Sequence, residues 1–352
     1  MMTHIEPSTI KGFFAGSGLD AFGETAVVDR VLMLTGLFDM GKKVLTAPVH
    51  VAYIGTAVYD IPTYKERQTK WFVSRGCTVA EVRVADPSVP NTVDKEELEF
   101  LGKAHIVVVS GGNTLFAIRR WEETGLDVCL RAVAVRGAVL AGGSAGAICW
   151  FTSGHSDSAD PSTYATAMLR AACGDTVAKK DNDDDDDGNA KKTSKTEQQQ
   201  QQQQEEDTSW SYIRVHGLDL LPGLLCPHYD MRETNGVLRE EDFDKMMKRH
   251  PTERGIGIDH WAAVVLPGDG TYEVFSVPGK GRGTNKDNTM APAVYVKDVV
   301  DGQLHSVMMP ERGRLNEFLR QPSGPVVRDP FEAYYAMANP TATGDKLLCQ
   351  SR

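Results

Sequence analysis

Short apolar runs alternate with stretches of helical spacing through the first half of the chain. After a loose start over residues 1–10, Lys11 to Gly18 reads as a strand ending in a glycine-rich turn. Ala21 to Met40 has helical spacing, with Val27, Val28, Val31, Leu32 and Leu34 on one face. Val49–Ile54 predicts a buried strand, Tyr64–Arg75 a helix, and Thr78–Val84 an alternating strand. Lys95–Ala104 predicts a helix capped by Asp94. Ile106–Val109 is an unbroken β-branched run, which suits a strand covered on both faces. Leu115–Glu123 predicts a helix, Arg131–Arg136 the end of another, and Val139–Ala141 a further strand. Strands alternating with helices predict an α/β fold with a largely parallel, doubly wound sheet. Ligands in such sheets sit at the carboxyl ends of the strands, and the turns after residues 18, 54, 109 and 141 share that edge.

The alternation then breaks. Residues 176–209 hold an aspartate run (Asp183–Asp187), lysines, and a glutamine run (Gln198–Gln204). That composition cannot bury enough apolar surface to offset its ordering entropy, so a disordered insertion is expected, with a polyglutamine interaction tract as the alternative. Beyond it, Leu218–Leu225 leads into Cys226-Pro227-His228-Tyr229-Asp230, and Glu240–Arg249 predicts a helix. Gly255–Leu266 and Tyr272–Val277 predict late strands in a hairpin across Pro267–Gly270. The expected layout is one domain over residues 11–310, the insertion within it, and a C-terminal extension over 311–352.

Charge and cysteine usage narrow the partners. A net charge of −10, part of it in the aspartate run, argues against nucleic acid or an acidic membrane surface. The first eleven residues lack the basic and apolar regions of a signal peptide, and no apolar run is long enough for a bilayer. The 6 cysteines lack metal-ligand spacing, which suits reduced thiols in the cytoplasm.

Gly142-Gly143-Ser144-Ala145-Gly146 fits the nucleophile elbow, a strand-to-helix turn that exposes a serine hydroxyl. A glycine turn that only packs or binds phosphate is the other reading of the same residues. A serine nucleophile needs a base, an orienting acid and oxyanion donors. Among 9 histidines, His228 follows a strand-like run and a proline, which suits the carboxyl edge. His155 reads as a solvated turn residue, and His216, His250 and His305 as surface loop residues. Asp157 and Asp259 are the candidate acids, with local backbone capping as the ordinary role for either. The amides of Ala145 and Gly112 suit an oxyanion hole.

Five segments in order carry a resemblance: Ser110–Thr114 (SGGNT), Gly142–Ala147 (GGSAGA), Ser156–Ser158 (SDS), Pro227–Tyr229 (PHY) and Gly255–Asp259 (GIGID). Together they resemble the peptidase E family of aspartyl dipeptidases, over roughly residues 11 to 280. The resemblance implies a sheet like that of class I glutamine amidotransferases, with added late strands. It also implies Ser144 as nucleophile, His228 as base, Asp157 as triad acid, and Gly112 and Ala145 as oxyanion donors. Asn113 and Arg239 would meet substrate, Arg239 facing an N-terminal aspartate side chain. Where the family commonly has a glutamate after the GIGID strand, this chain has His260, which cannot supply a fixed negative charge. The expected activity is serine-type hydrolysis of short peptides through an acyl-enzyme, with no metal or cofactor. A homodimer is the open option for assembly. The rival readings are a cyanophycinase-like or other amide hydrolase, and a catalytically silent homologue acting as an interaction protein.

Overall fold

The computed structural model describes residues 5–86, 88, 93–173, 210–283 and 290–326. The acidic and glutamine-rich segment expected as an insertion, residues 176–209, lies outside the described residues.

The chain opens with β1 (Lys11–Ala15), α1 (Thr25–Met33) and a small hairpin of β2 (Phe38–Asp39) and β3 (Val44–Leu45). There follow β4 (His50–Ile54), α2 (Pro62–Ser74), β5 (Thr78–Val82), α3 (Lys95–Lys103) and β6 (Ile106–Val109). Next come α4 (Thr114–Thr124), α5 (Leu126–Val135), β7 (Val139–Gly143), the short α6 (Ala145–Ile148), β8 (Phe151–Ser156) and α7 (Ala165–Ala172). The later part holds β9 (Ile213–His216), β10 (Leu221–Cys226), α8 (Arg239–Arg249), β11 (Gly255–Ile258) and β12 (Ala262–Pro267). It ends with β13 (Thr271–Ser276), β14 (Val294–Val300), β15 (Gln303–Met308), β16 (Arg312–Arg314) and α9 (Leu315–Phe318).

These strands form two large sheets where the periodicity suggests one. The first has the order β16-β13-β12-β1-β7-β6-β4-β5, parallel from β1 to β5 and antiparallel from β1 to β16. The second runs β15-β14-β11-β10-β8-β9, with its parallel pairs at β8, β10 and β11. Alternation along β1 splits its aromatics between two cores. Phe14 joins the core that lies between the sheets with Leu140, Phe151, Leu225 and Ile256. Phe13 faces Val27, Val31 and Phe72 of α1 and α2 on the outer side. Each such buried side chain contributes roughly 1.5–3 kcal/mol.

Three boundaries differ from the sequence reading. The helical stretch expected over Ala21–Met40 holds an α-helix only at Thr25–Met33, and Phe38–Asp39 within it pairs as β2 with β3. Gly255–Leu266 is two strands in different sheets: Ile256 pairs in the second sheet, and Val264 pairs with Phe14 in the first. An apolar run has the same look whether it continues or crosses over. Its corner, Asp259–Trp261, joins the sheets. Residues expected to start a C-terminal extension also belong to the fold, since β16 pairs with β13 and the Phe318 ring packs against Tyr272 with centroids 5.1 Å apart.

Candidate active site

Ser144 stands between β7 and α6 at φ 55° and ψ −124°, a conformation that a non-glycine residue holds only at a cost of order 1–3 kcal/mol. The neighbouring glycines leave the chain this turn. A Cβ on Gly143 would overlap the Ser17 carbonyl, and one on Gly146 the Val109 carbonyl. The serine is 7% exposed, and Ala145 opens α6, so its N–H has no intrahelical acceptor. The Ser110–Asn113 turn packs directly on it: a Cβ on Gly111 would lie 3.2 Å from Ser144 Cβ. Gly112 sits at φ +122° against the Ala57 carbonyl, where only glycine fits.

His228 arrives from the other sheet, at the end of β10, also with positive φ (48°). Its N–H donates to Gly16 O at 3.2 Å, while Ser144 N–H donates to Ala15 O at 3.2 Å. Successive carbonyls at the end of β1 therefore tether both residues. Burial, then the neighbouring His260 and Arg239, hold the His228 pKa well below the usual histidine value, so the ring is neutral at neutral pH.

The group on His228 Nδ1 is His260 Nδ1, at 2.8 Å. His260 sits on the corner between β11 and β12. That corner is fixed by Tyr229 N–H donating to Ile258 O (3.0 Å) and by His260 N–H donating to Asp230 Oδ1 (2.7 Å). Gly16 lets the corner approach, because a Cβ there would overlap the Asp259 carbonyl. The far nitrogen of His260, Nε2, lies 3.1 Å from Asp20 Oδ2. Asp20 escaped the sequence reading: it resembles any helix-capping aspartate, and 240 residues separate it from its partner.

The expected acid is placed elsewhere. Asp157 Oδ2 accepts from Arg239 Nη1 at 3.2 Å, so its partner is a guanidinium and not the Nδ1 of His228. Arg239 is fully buried; it also donates to His155 O (2.8 Å), lies 3.7 Å from Glu233 Oε1, and stacks over Tyr212 at 4.9 Å. Asn113 caps α4 by accepting from Phe116 N–H, and its amide donates to Ser158 O and Thr163 Oγ1. All its side-chain groups are thus engaged within the protein. Asp259 turns to Ala293 N–H (2.8 Å) and Arg282 Nε (3.1 Å).

Two histidines read from sequence as exposed are interior. His155 is fully buried in β8 with Asp242 at 3.0 Å, and burial pushes its pKa down to about 4. His250 is buried at the end of α8. Among the described residues, no group of three or more His, Cys, Asp or Glu is placed to hold a metal, and no helix is long and apolar enough to cross a membrane.

Comparison with known proteins follows the same segments. The model of peptidase family S51 matches residues 38–172 and 190–274. The chain is 40% identical over 364 residues, covering 100% of both sequences, to a Trypanosoma brucei brucei protein named G2/mitotic-specific cyclin-1; that name describes the trypanosome protein. It is 35% identical over 113 residues to the uncharacterized peptidase YgaJ of Bacillus subtilis, covering 32% of this chain and 47% of that one. A solved structure of a peptidase from an acI-B1 Actinobacterium aligns with a TM-score of 0.47 at 14% identity, over 86% of this chain and 98% of that one. Since the family model spans more than half of its residues, including the elbow and the His228 strand, the chain belongs to peptidase family S51, the peptidase E family.

Proposed function

We propose that this peptidase is of the serine type and hydrolyses short peptides with an N-terminal aspartate through an acyl-enzyme. The observation that carries the reading is the strained Ser144 at a strand-to-helix turn, tied beside a neutral His228 on adjacent carbonyls of β1. Because Nδ1 of His228 is taken by His260, Nε2 is the nitrogen left for the serine proton. Ser144 Oγ attacks the scissile carbonyl carbon as His228 Nε2 accepts its proton. The N–H groups of Gly112 and Ala145 receive the oxyanion, where the first turn of a helix favours negative charge. His228 then gives the proton to the departing amine, and water releases the acid from Ser144. Asp157 holds Arg239 in this reading. The preference for an acidic first residue rests on the family resemblance, since the Arg239 guanidinium is buried and paired with Asp157.

The test compares kcat/KM of wild type and Ser144→Ala on Asp-Xaa, Glu-Xaa and Ala-Xaa dipeptides. Wild type is expected to favour Asp-Xaa, and Ser144→Ala to lose on the order of 10³-fold or more. Turnover that survives Ser144→Ala would overturn the serine mechanism, and equal rates on Asp-Xaa and Ala-Xaa would overturn the preference.

A further inference from the structure

We propose that Asp20 and His260 form a proton relay behind His228, so that the carboxylate supporting the base acts through a second imidazole instead of touching it. The inference rests on the peptidase reading of Ser144 and His228. Its geometry is a chain of two hydrogen bonds, His228 Nδ1 to His260 Nδ1 at 2.8 Å and His260 Nε2 to Asp20 Oδ2 at 3.1 Å.

A neutral imidazole carries one N–H, and a carboxylate can only accept. Asp20 therefore requires the His260 proton on Nε2. His260 Nδ1 is then a lone pair, which requires a donor, and His228 must carry its proton on Nδ1. That leaves His228 Nε2 unprotonated, the form a general base needs. One ionised carboxylate thus sets both tautomers. The opposite arrangement would set a lone pair of His260 against a carboxylate that the hydrogen bond from His260 keeps below its ordinary pKa.

The proton count closes. When His228 Nε2 takes the Ser144 proton, His228 becomes an imidazolium, and its Nδ1 proton can pass to His260 Nδ1. The positive charge then lies on His260, between His228 and the Asp20 carboxylate. When the amine leaves with the Nε2 proton, His260 returns its Nδ1 proton to His228. Asp20 stays ionised throughout. Its side chain is 49% exposed against 10% for His260, so the relay leads outward from the buried site to water. Other charges surround the chain. Arg67 and Lys280 act on Asp20, Arg239 on His228, and His260 on Glu233, while Asp230 accepts from the His260 backbone. Asp259, next in sequence, is turned to Arg282.

These residues are positioning groups, and the test reads tautomers and pH as well as rate. Nitrogen-15 NMR of labelled histidines in wild type and Ser144→Ala should show His228 protonated on Nδ1 and His260 on Nε2 at neutral pH. Asp20→Ala should release His260 into a mixture of tautomers. Asp20→Asn keeps an acceptor without the charge, so the protonated pair loses support and the acid limb of kcat/KM should move to lower pH by about half to one unit. With solvent screening at Asp20, kcat should fall about threefold to tenfold with KM unchanged. His228 protonated on Nε2, or an Asp20→Asn enzyme with wild-type tautomers and an unmoved acid limb, would overturn the relay. A wild type that cleaves no peptide would instead sink the peptidase reading, and the NMR arm would still decide the relay.

Discussion

The two halves of the site are built from different materials. The serine half is backbone: β7, the Gly142-Gly143 turn and α6 hold Ser144 by contacts that exclude side chains, as at Gly143 against Ser17 and Gly146 against Val109. The histidine half is side chains, with His228, His260 and Asp20 in one line and the buried Arg239 and His155 beside it, joined by the half-buried Asp157 and Glu233. A backbone turn tolerates no added atom but is indifferent to pH. A polar network tolerates isosteric change and responds to charge.

The sharpest way to break that contrast is Gly143→Ala. The added methyl would meet backbone, which cannot move aside as a flexible side chain can, so a loss above about 3 kcal/mol is expected, a large share of a typical domain's stability. Urea unfolding measures it. A variant with near wild-type midpoint would show that the elbow can relax and that the contrast is false.

On the polar side, His155 should make stability depend on pH. Its folded pKa of about 4 lies below the ordinary 6.5, so between these values the unfolded chain binds the extra proton and stability falls as pH falls. The full effect is about 3 kcal/mol, present above pH 6.5 and lost by about pH 4. Asp60 and Asp259, each raised to about 7 chiefly by burial, slope the other way. The measurement is therefore the difference between wild type and His155→Phe, in which those contributions cancel. Parallel stability curves for the two proteins across pH 4–7 would exclude His155 as the cause.

The smallest expected effect separates support from catalysis. Asp157→Asn keeps an acceptor for Arg239 but removes the compensating charge, and should cost about 1–2 kcal/mol of stability. Because His228 Nδ1 is engaged by His260, kcat should fall less than about tenfold. A fall of 10³ or more would return Asp157 to the role of triad acid. Arg239→Ala is the poorer probe, because it would leave Asp157 and Glu233 beside an emptied, buried space and confound KM with stability.

The sequence by itself determined the elbow, the order of the main strands and helices as far as β7 apart from the β2–β3 hairpin, and the family, because each depends on residues adjacent in the chain. Glycine spacing encodes a turn, and β-branched runs encode buried strands. Asp94 was legible as a helix cap for the same reason, and accepts from Glu96 and Glu97 N–H. Tertiary structure alone decided that Gly255–Leu266 bends between two sheets, that His155 is interior, that Asp157 belongs to Arg239, and that Asp20 stands behind His260. The physical reason is that a side chain's partner depends on where separate strands end in space, and the spacing of residues along one strand carries no record of its neighbour across the sheet.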